Sequence, residues 1–188
     1  MRHSIFTRLA LFGAIFTMSM PAAAQVDPRF IVSSDVAAMT GEMNAINFAT
    51  AEAIAKACMR IAAERGETMA IVITDNLGSL TYAGRMDGNT LTSVMFAQRK
   101  AATARLTRAP THLRQNNVTR DPNATTREIY LGLLPNAGGL PIWAGDQIIG
   151  FIGVGGSNAR PPEWSDEICA HRALEEVIGG QPPLTQDP

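Results

Sequence analysis

The chain has 188 residues, of which 46% are hydrophobic, and a formal net charge of −1 at pH 7. This length provides the core of one domain and leaves little room for a second. The charge balance argues against a general nucleic-acid-binding protein, for which a marked excess of basic residues is expected.

The first 24 residues have the pattern of a secretory signal peptide. Arg2 and Arg8 form a positive region, the apolar run 9–20 follows, and the small residues 22–24 precede the expected cleavage point. The apolar run is too short to be a mature membrane-spanning helix, and no later run is long enough. Removing 24 of the 188 residues leaves 164, and the loss of two arginines changes the formal charge from −1 to −3. We therefore expect a periplasmic or secreted protein without a membrane span after cleavage.

The rest of the chain is predicted to have one domain, at 45–180. It is preceded by a loosely attached N-terminal arm, 25–44, which proline and aspartate interrupt. A proline-rich flexible tail, 181–188, follows it.

Apolar periodicity predicts the first elements of this domain. A helix at 48–65 has alanine and isoleucine on one face and ends at Gly66. A β-branched run at 69–74 and the segment 79–83 form a hairpin, because the residues between them favour a turn.

Helices and hairpins also alternate in the second half of the chain. Its predicted elements are a helix at 91–108 capped by Thr90, a polar irregular segment at 111–126, a hairpin at 140–143 and 147–154, and a helix at 166–178 capped by Ser165. Glycines within the last strand indicate a close approach of backbone, ligand or subunit. Two hairpins covered by helices predict an α+β layered domain with an antiparallel or mixed sheet.

Two cysteines, Cys58 and Cys169, leave two alternatives open. They form one disulfide, which an oxidising compartment would preserve, or both are small buried core residues.

Positive charge is concentrated in one part of this acidic chain. Six basic residues and no acidic residue occur between positions 99 and 120, namely Arg99, Lys100, Arg105, Arg108, Arg114 and Arg120. This pattern is typical either of an anion site, for a carboxylate, a phosphate or porphyrin propionates, or of a solvated basic face or subunit contact.

Two histidines remain after the predicted cleavage. His112 follows the second long helix and has the chemistry of a general base, an axial iron ligand or an ordinary surface residue. His171 lies off the apolar stripe of the last helix and is predicted to be a surface residue. The sequence has neither a nucleophile elbow nor a phosphate-binding loop, and it has no C-x-x-C-H haem attachment.

Four motifs resemble those of the GlcG/HbpS haem-binding-like family. They are VITDNLGSLTYAGRMDG at 72–88, AQRKAATA at 97–104, GGLPIWAGDQIIGFIGVGG at 138–156, and Asp166-Glu167 with Ala170. Their order and spacing extend the resemblance over nearly the whole domain. The resemblance implies about five antiparallel strands flanked by helices, as in a profilin-like sandwich, together with homo-oligomers and, in some members, haem binding.

The same motifs identify candidate site residues. By resemblance, the ligand-binding candidates are Arg85, Asp87, Lys100, Thr103, Gly138, Gly139, Pro141 and Asp166. The candidates for proton transfer and charge stabilisation are Lys100, Arg85, His112 and Glu167. The segment that contains His112 does not match the family, so a role for His112 as a metal ligand depends on its chemistry.

Two functions are consistent with these residues. In the first, an exported protein binds a small molecule, haem or another tetrapyrrole, reversibly in a cationic pocket. In the second, a cofactor-free lyase or isomerase acts on a small carboxylate or aromatic substrate.

Overall fold

The computed structural model describes residues 26–40, 44–157 and 163–184, and for 38–40 it describes the backbone alone. The predicted signal peptide, 1–24, lies outside the described residues, as does the end of the tail, 185–188. The helices are α1 (Ser34–Thr40), α2 (Phe48–Ala63), α3 (Leu91–Thr107), α4 (His112–Arg120), α5 (Pro122–Tyr130) and α6 (Asp166–Val177). The strands are β1 (Ala70–Asp75), β2 (Leu80–Arg85), β3 (Gly139–Ala144) and β4 (Gln147–Gly155).

The strands form one antiparallel sheet in the order β2-β1-β4-β3. The two predicted hairpins are β1–β2 and β3–β4, and they join through the central pair β1–β4. This arrangement confirms the α+β class, with four strands in the described residues where about five were expected. An isolated bridge between Ile31 and Ile46 lies beside the sheet. No helix in the described ranges has the length and apolar character needed to cross a membrane.

One face of the sheet carries the main hydrophobic core. Helices α2 and α6 pack against each other and cover this face. Cys58 of α2 and Cys169 of α6 form a fully buried disulfide, which decides between the two alternatives that the sequence left open.

The opposite face is covered by α3, which lies unusually close to the strands. Ala97 and Ala101 on α3 are fully buried above Gly153 of β4. A Cβ atom at Gly153 would overlap the backbone carbonyl of Ala97. The small residues on both sides therefore set the distance between helix and sheet, and they explain the strand glycine as a backbone contact.

The segment predicted to be irregular, 111–126, is instead mainly helical. It contains α4 and most of α5, which pack against each other. The prediction was wrong because α4 has no buried residue and hence no apolar stripe to detect. A local signal was nevertheless present, since Asp121 accepts a hydrogen bond from the Asn123 N–H and Pro122 occupies the first turn of α5.

The outer edge of β3 is protected along its length. Thr111 donates its N–H to the Gly139 carbonyl and accepts the Gly139 N–H at its hydroxyl. The side-chain amide of Gln181 pairs in the same way with the N–H and carbonyl of Trp143. Pro141, between these two points, has no N–H to leave unpaired. These contacts block edge pairing with another strand and attach the start of the C-terminal segment to the sheet.

Candidate functional site

Lys100 and Asp166 form a buried ion pair beside β4. Lys100 lies on the sheet-facing side of α3, and its side chain is 2% exposed. Its Nζ lies 2.6 Å from Asp166 Oδ2 and donates a second hydrogen bond to the Val154 carbonyl at 2.9 Å. The other oxygen of Asp166 accepts the Ser157 N–H at 2.8 Å. Both charges are therefore satisfied within the protein, and Lys100 does not offer an ammonium to solvent.

The environment of Asp166 favours its neutral form. Burial raises the pKa of the Asp166 carboxyl above its usual range, although the Lys100 ammonium and the hydrogen bond from Ser157 oppose this rise. A smaller contribution in the upward direction comes from the negative charge of Glu67. The carboxyl thus depends on Lys100 to remain ionised in this position.

His112 and Glu167 form a second pair next to the first. His112 begins α4, and Glu167 lies in the first turn of α6, directly after Asp166. The imidazole Nδ1 lies 2.9 Å from Glu167 Oε1, and the two side chains are only 14% and 5% exposed. A carboxylate at Nδ1 fixes the tautomer and the orientation of the ring. The two pairs share the amino-terminal turn of α6, whose dipole favours acidic residues.

The Gly138-Gly139 motif allows these elements to meet. A Cβ atom at Gly138 would lie 2.8 Å from the Asp166 Cβ and 2.9 Å from Lys100 Nζ, and the backbone there has φ +122°. A Cβ at Gly139 would overlap the Lys100 carbonyl. Both glycines are thus required by the close approach of α3 and α6 to the start of β3.

Two buried threonine hydroxyls hold the segment that leads into β3. Thr103 accepts the Leu134 N–H at 2.9 Å, and Thr111 donates to the Asn136 carbonyl at 2.7 Å. The predicted ligand-binding residue Thr103 is therefore occupied by a backbone contact. Thr111 was not among the sequence candidates, since a lone threonine in a polar segment carries no distinguishing pattern.

Arg85 and Asp87 lie at the end of β2 and in the turn that follows it, across β1 from the end of β4. Arg85, at the end of β2, donates to the Asn89 carbonyl, and Asn89 in turn donates to the Thr68 carbonyl. In the described part of the chain no hydrogen bond or ion pair joins Arg85 to Asp87 or to Lys100. The structure thus brings Lys100, Asp166, His112 and Glu167 together with the paired glycines, whereas Arg85 bonds to Asn89, whose side-chain amide lies beside Gly156.

Pro141 lines a small apolar cleft at the β3 edge. The cleft has a volume of about 170 Å³ and is bounded by the end of α3, the β3 edge, α6 and the C-terminal segment. Its lining includes Trp143, Leu140 and Leu174, and its ionisable residues are Arg108 and His171.

A buried carboxylate that the sequence analysis missed lies between α4 and α5. Glu128 is fully buried, with Arg114 at 3.5 Å and Arg127 at 3.9 Å from its Oε1. Its two oxygens accept no hydrogen bond from the described residues. Arg114 therefore serves as a counter-charge, and part of the basic cluster has a structural role.

The described residues contain no complete set of protein ligands for a metal ion. No group of three or more His, Cys, Asp and Glu side chains is placed there to hold an ion. Within these ranges, His112 would act as a single protein ligand.

The family model described as "Haem degrading protein HbpS-like" matches residues 46–175. The chain belongs to the HbpS-like family. This match confirms the resemblance that the four motifs indicated and covers every candidate residue of the site described above. No curated protein sequence matches the chain significantly.

Several solved structures, one of them an HbpS, are similar to this chain. The Klebsiella pneumoniae protein ORFY is 25% identical, with a TM-score of 0.64 over 72% of this chain and 92% of that protein. A double mutant of Streptomyces reticuli HbpS is 27% identical, with a TM-score of 0.61 over 86% and 99% of the two chains. A PduOC:heme complex is 25% identical, with a TM-score of 0.63 over 71% and 95%.

Proposed function

We propose that this protein is an exported small-molecule-binding protein that holds haem or a related tetrapyrrole reversibly. The family description and the heme complex of a structural relative support this ligand class. Within the chain, the observation that carries the proposal is the contact between His112 Nδ1 and Glu167 Oε1. An imidazole with a carboxylate at Nδ1 is the usual arrangement at metal-ligating histidines.

The residues around His112 fit the other parts of such a ligand. Arg120, together with Arg114, whose side chain is 33% exposed beside Glu128, lies on the same helix and provides positive charge for propionates. The end of α5, which packs against α4, exposes the apolar side chains Ile129, Tyr130 and Leu131, and these suit contact with a macrocycle. When bound, haem would supply the iron centre, and His112 would bind it with an orientation that Glu167 fixes.

The structure changes which cations we assign to the ligand. Lys100 was a candidate for holding an anionic group, but its ammonium is buried against Asp166 and the Val154 carbonyl. We therefore assign the propionates to arginines of α4 and give Lys100 a structural role.

Export is supported by two independent features. The leader pattern at 1–24 predicts secretion, and the Cys58–Cys169 disulfide suits an oxidising compartment. We propose a periplasmic or secreted location on these grounds.

Self-association is supported by the outer face of α3. This face exposes large apolar side chains in a net-acidic domain, namely Leu91, Met95, Phe96 and Leu106. A second copy of the chain would cover them, so we propose a homo-oligomer.

The contact between the Glu167 carboxylate and His112 also favours a second candidate function. His112 oriented by Glu167 has the arrangement of a general base, as a cofactor-free lyase or isomerase acting on a small carboxylate or aromatic substrate would need. This candidate requires turnover without haem, together with loss of turnover in Glu167→Gln.

The proposal is tested on protein purified from its natural source. We expect a Soret absorption band and a native mass that is a multiple of the subunit mass. Source-purified protein that has no Soret band, and that leaves the spectrum of added hemin unshifted, would contradict haem binding. A native mass equal to one subunit would contradict self-association alone.

A further inference from the structure

The cleft at the edge of β3 is lined by other residues than the His112–Glu167 pair. We propose that the 170 Å³ cleft between the end of α3 and the C-terminal segment binds a small aromatic monocarboxylate. This ligand and these residues are distinct from those proposed for haem.

The shape of the cleft limits the size of the ligand. Sites for larger organic ligands have volumes of about 300–1,000 Å³. A cleft of about 170 Å³ therefore accepts a single ring with a short substituent, and a macrocycle is too large for it.

The lining of the cleft favours an apolar, flat ligand body. Leu140, Pro141, Trp143 and Leu174 line the cleft together with prolines of the C-terminal segment. An indole and proline rings present flat apolar faces against which an aromatic ring packs well.

The charge of the cleft favours an anion. No acidic residue lines it, and Arg108 is its one permanently charged residue. Arg108 makes no ion pair within the described residues, and it is an exposed residue. Arginine binds carboxylates through two parallel hydrogen bonds, so a monocarboxylate suits this cation.

The backbone at Arg108 supports a positional role for this side chain. Arg108 ends α3 in the left-handed conformation, with φ +51°, where glycine is normally preferred. A bulky residue held in this region has an energetic cost and is associated with functional positions. Here the conformation ends the helix at the mouth of the cleft.

The C-terminal segment is attached over the cleft at two points. His171 donates from Nε2 to the Pro182 carbonyl at 2.9 Å, and Gln181 pairs with the Trp143 backbone. The opposite wall of the cleft is therefore held by contacts from α6 and β3, so the site is formed before a ligand binds.

Benzoate is the probe that tests this proposal. The chain has two tryptophans, and Trp143 lines the cleft, whereas Trp164 is buried beside Glu67. We expect benzoate to quench Trp143 fluorescence saturably and calorimetry to confirm the binding. The Trp143→Phe variant should not show this quenching. Benzamide, which lacks the charge, and acetate, which lacks the ring, are expected to bind at least about tenfold more weakly.

Variants separate the role of Arg108 from general charge effects. Arg108→Gln is expected to weaken benzoate binding by about tenfold or more, and Arg108→Lys by less, because lysine keeps the charge without the fork. Arg99→Gln, an exposed change on α3, is the matched control and is expected to bind benzoate like the wild type.

Three results would overturn the proposal. They are the absence of saturable benzoate binding to the wild-type protein, equal binding of benzamide, and unchanged binding in folded Arg108→Gln. Hemin titration of the same variant keeps the two sites distinguishable, since we expect Arg108→Gln to bind hemin like the wild type. If either the benzoate or the hemin titration shows no binding, the result of the other can still be interpreted.

Discussion

Lys100 Nζ contacts Asp166 Oδ2 at 2.6 Å inside the protein, between α3 and the first turn of α6. The two residues lie in separate motifs of the chain, and each is the charge partner of the other. The pair connects the two layers on either side of the start of β3. Glu167, next to Asp166, contacts His112, so the ion pair lies directly beside the candidate site.

Lys100→Met is expected to destabilise the protein by about 3 kcal/mol at pH 7, because it leaves the Asp166 carboxylate buried without its cation. Burial already raises the pKa of Asp166, and loss of Lys100 raises it further. A carboxyl with a raised folded-state pKa favours the folded state at low pH, and this stabilisation is lost as the pH rises through the raised pKa.

Urea unfolding between pH 4 and pH 8 measures this effect. The loss of unfolding free energy in Lys100→Met, relative to the wild type, should be smallest at the acidic end of this pH range. Lys56→Met, on the exposed surface of α2, is the control and should change the unfolding free energy by less than about 1 kcal/mol. A deficit for Lys100→Met that does not depend on pH would contradict the role of Asp166.

Replacing both cysteines by alanine is expected to lower the free energy of unfolding by about 2–5 kcal/mol. The disulfide links positions separated by 111 residues, so it strongly restricts the unfolded chain. Thermal unfolding of the Cys58→Ala/Cys169→Ala variant without reductant measures the loss. Thiol titration of the denatured wild-type protein is the control, and two free thiols in protein from the exported fraction would refute the bridge.

Gly153→Ala is expected to destabilise the protein by about 3 kcal/mol or more, because its new methyl group meets the Ala97 carbonyl on α3. Gly145→Ala is the matched comparison, since its Cβ meets no atom within 4 Å and its cost comes from φ +63° alone. We expect about 1 kcal/mol for that change. Equal losses in chemical denaturation would mean that α3 does not lie as close to β4 as described.

Gln181→Ala is expected to cost about 1–2 kcal/mol, because it removes hydrogen bonds to both backbone groups of Trp143. The exposed edge should also shift Trp143 emission towards longer wavelength. Gln98→Ala, on the exposed side of α3, is the control and should leave both the stability and the emission unchanged. Proteolysis that removes the C-terminal segment no faster in Gln181→Ala than in the wild type would argue against the attachment.

The long amphipathic elements could be predicted from sequence because each has its own local signal. The α2 stripe, the β1 run and the Thr90 and Ser165 caps are set by neighbouring residues, and the structure has all of them close to the predicted bounds. The polar helix α4 could not be predicted in this way, because none of its residues is buried.

The site depended on contacts that no local pattern contains. His112 and Glu167 are 55 positions apart and meet because β3 and β4 bring the starts of α4 and α6 together. Lys100 was recognised from its motif, but its charge partner became evident from the fold alone. Arg85 is a further motif residue whose partner, the Asn89 carbonyl, became evident from the fold.

Hemin titration of His112→Ala shows whether His112 binds the iron of haem. We expect the wild-type protein to bind hemin with a shifted Soret band, His112→Ala to lose this shift, and Glu167→Gln to weaken binding by about 10–100-fold. His171→Ala, which removes the other histidine of the domain, should bind like the wild type. Identical Soret spectra and affinities for the wild type and His112→Ala would contradict the account.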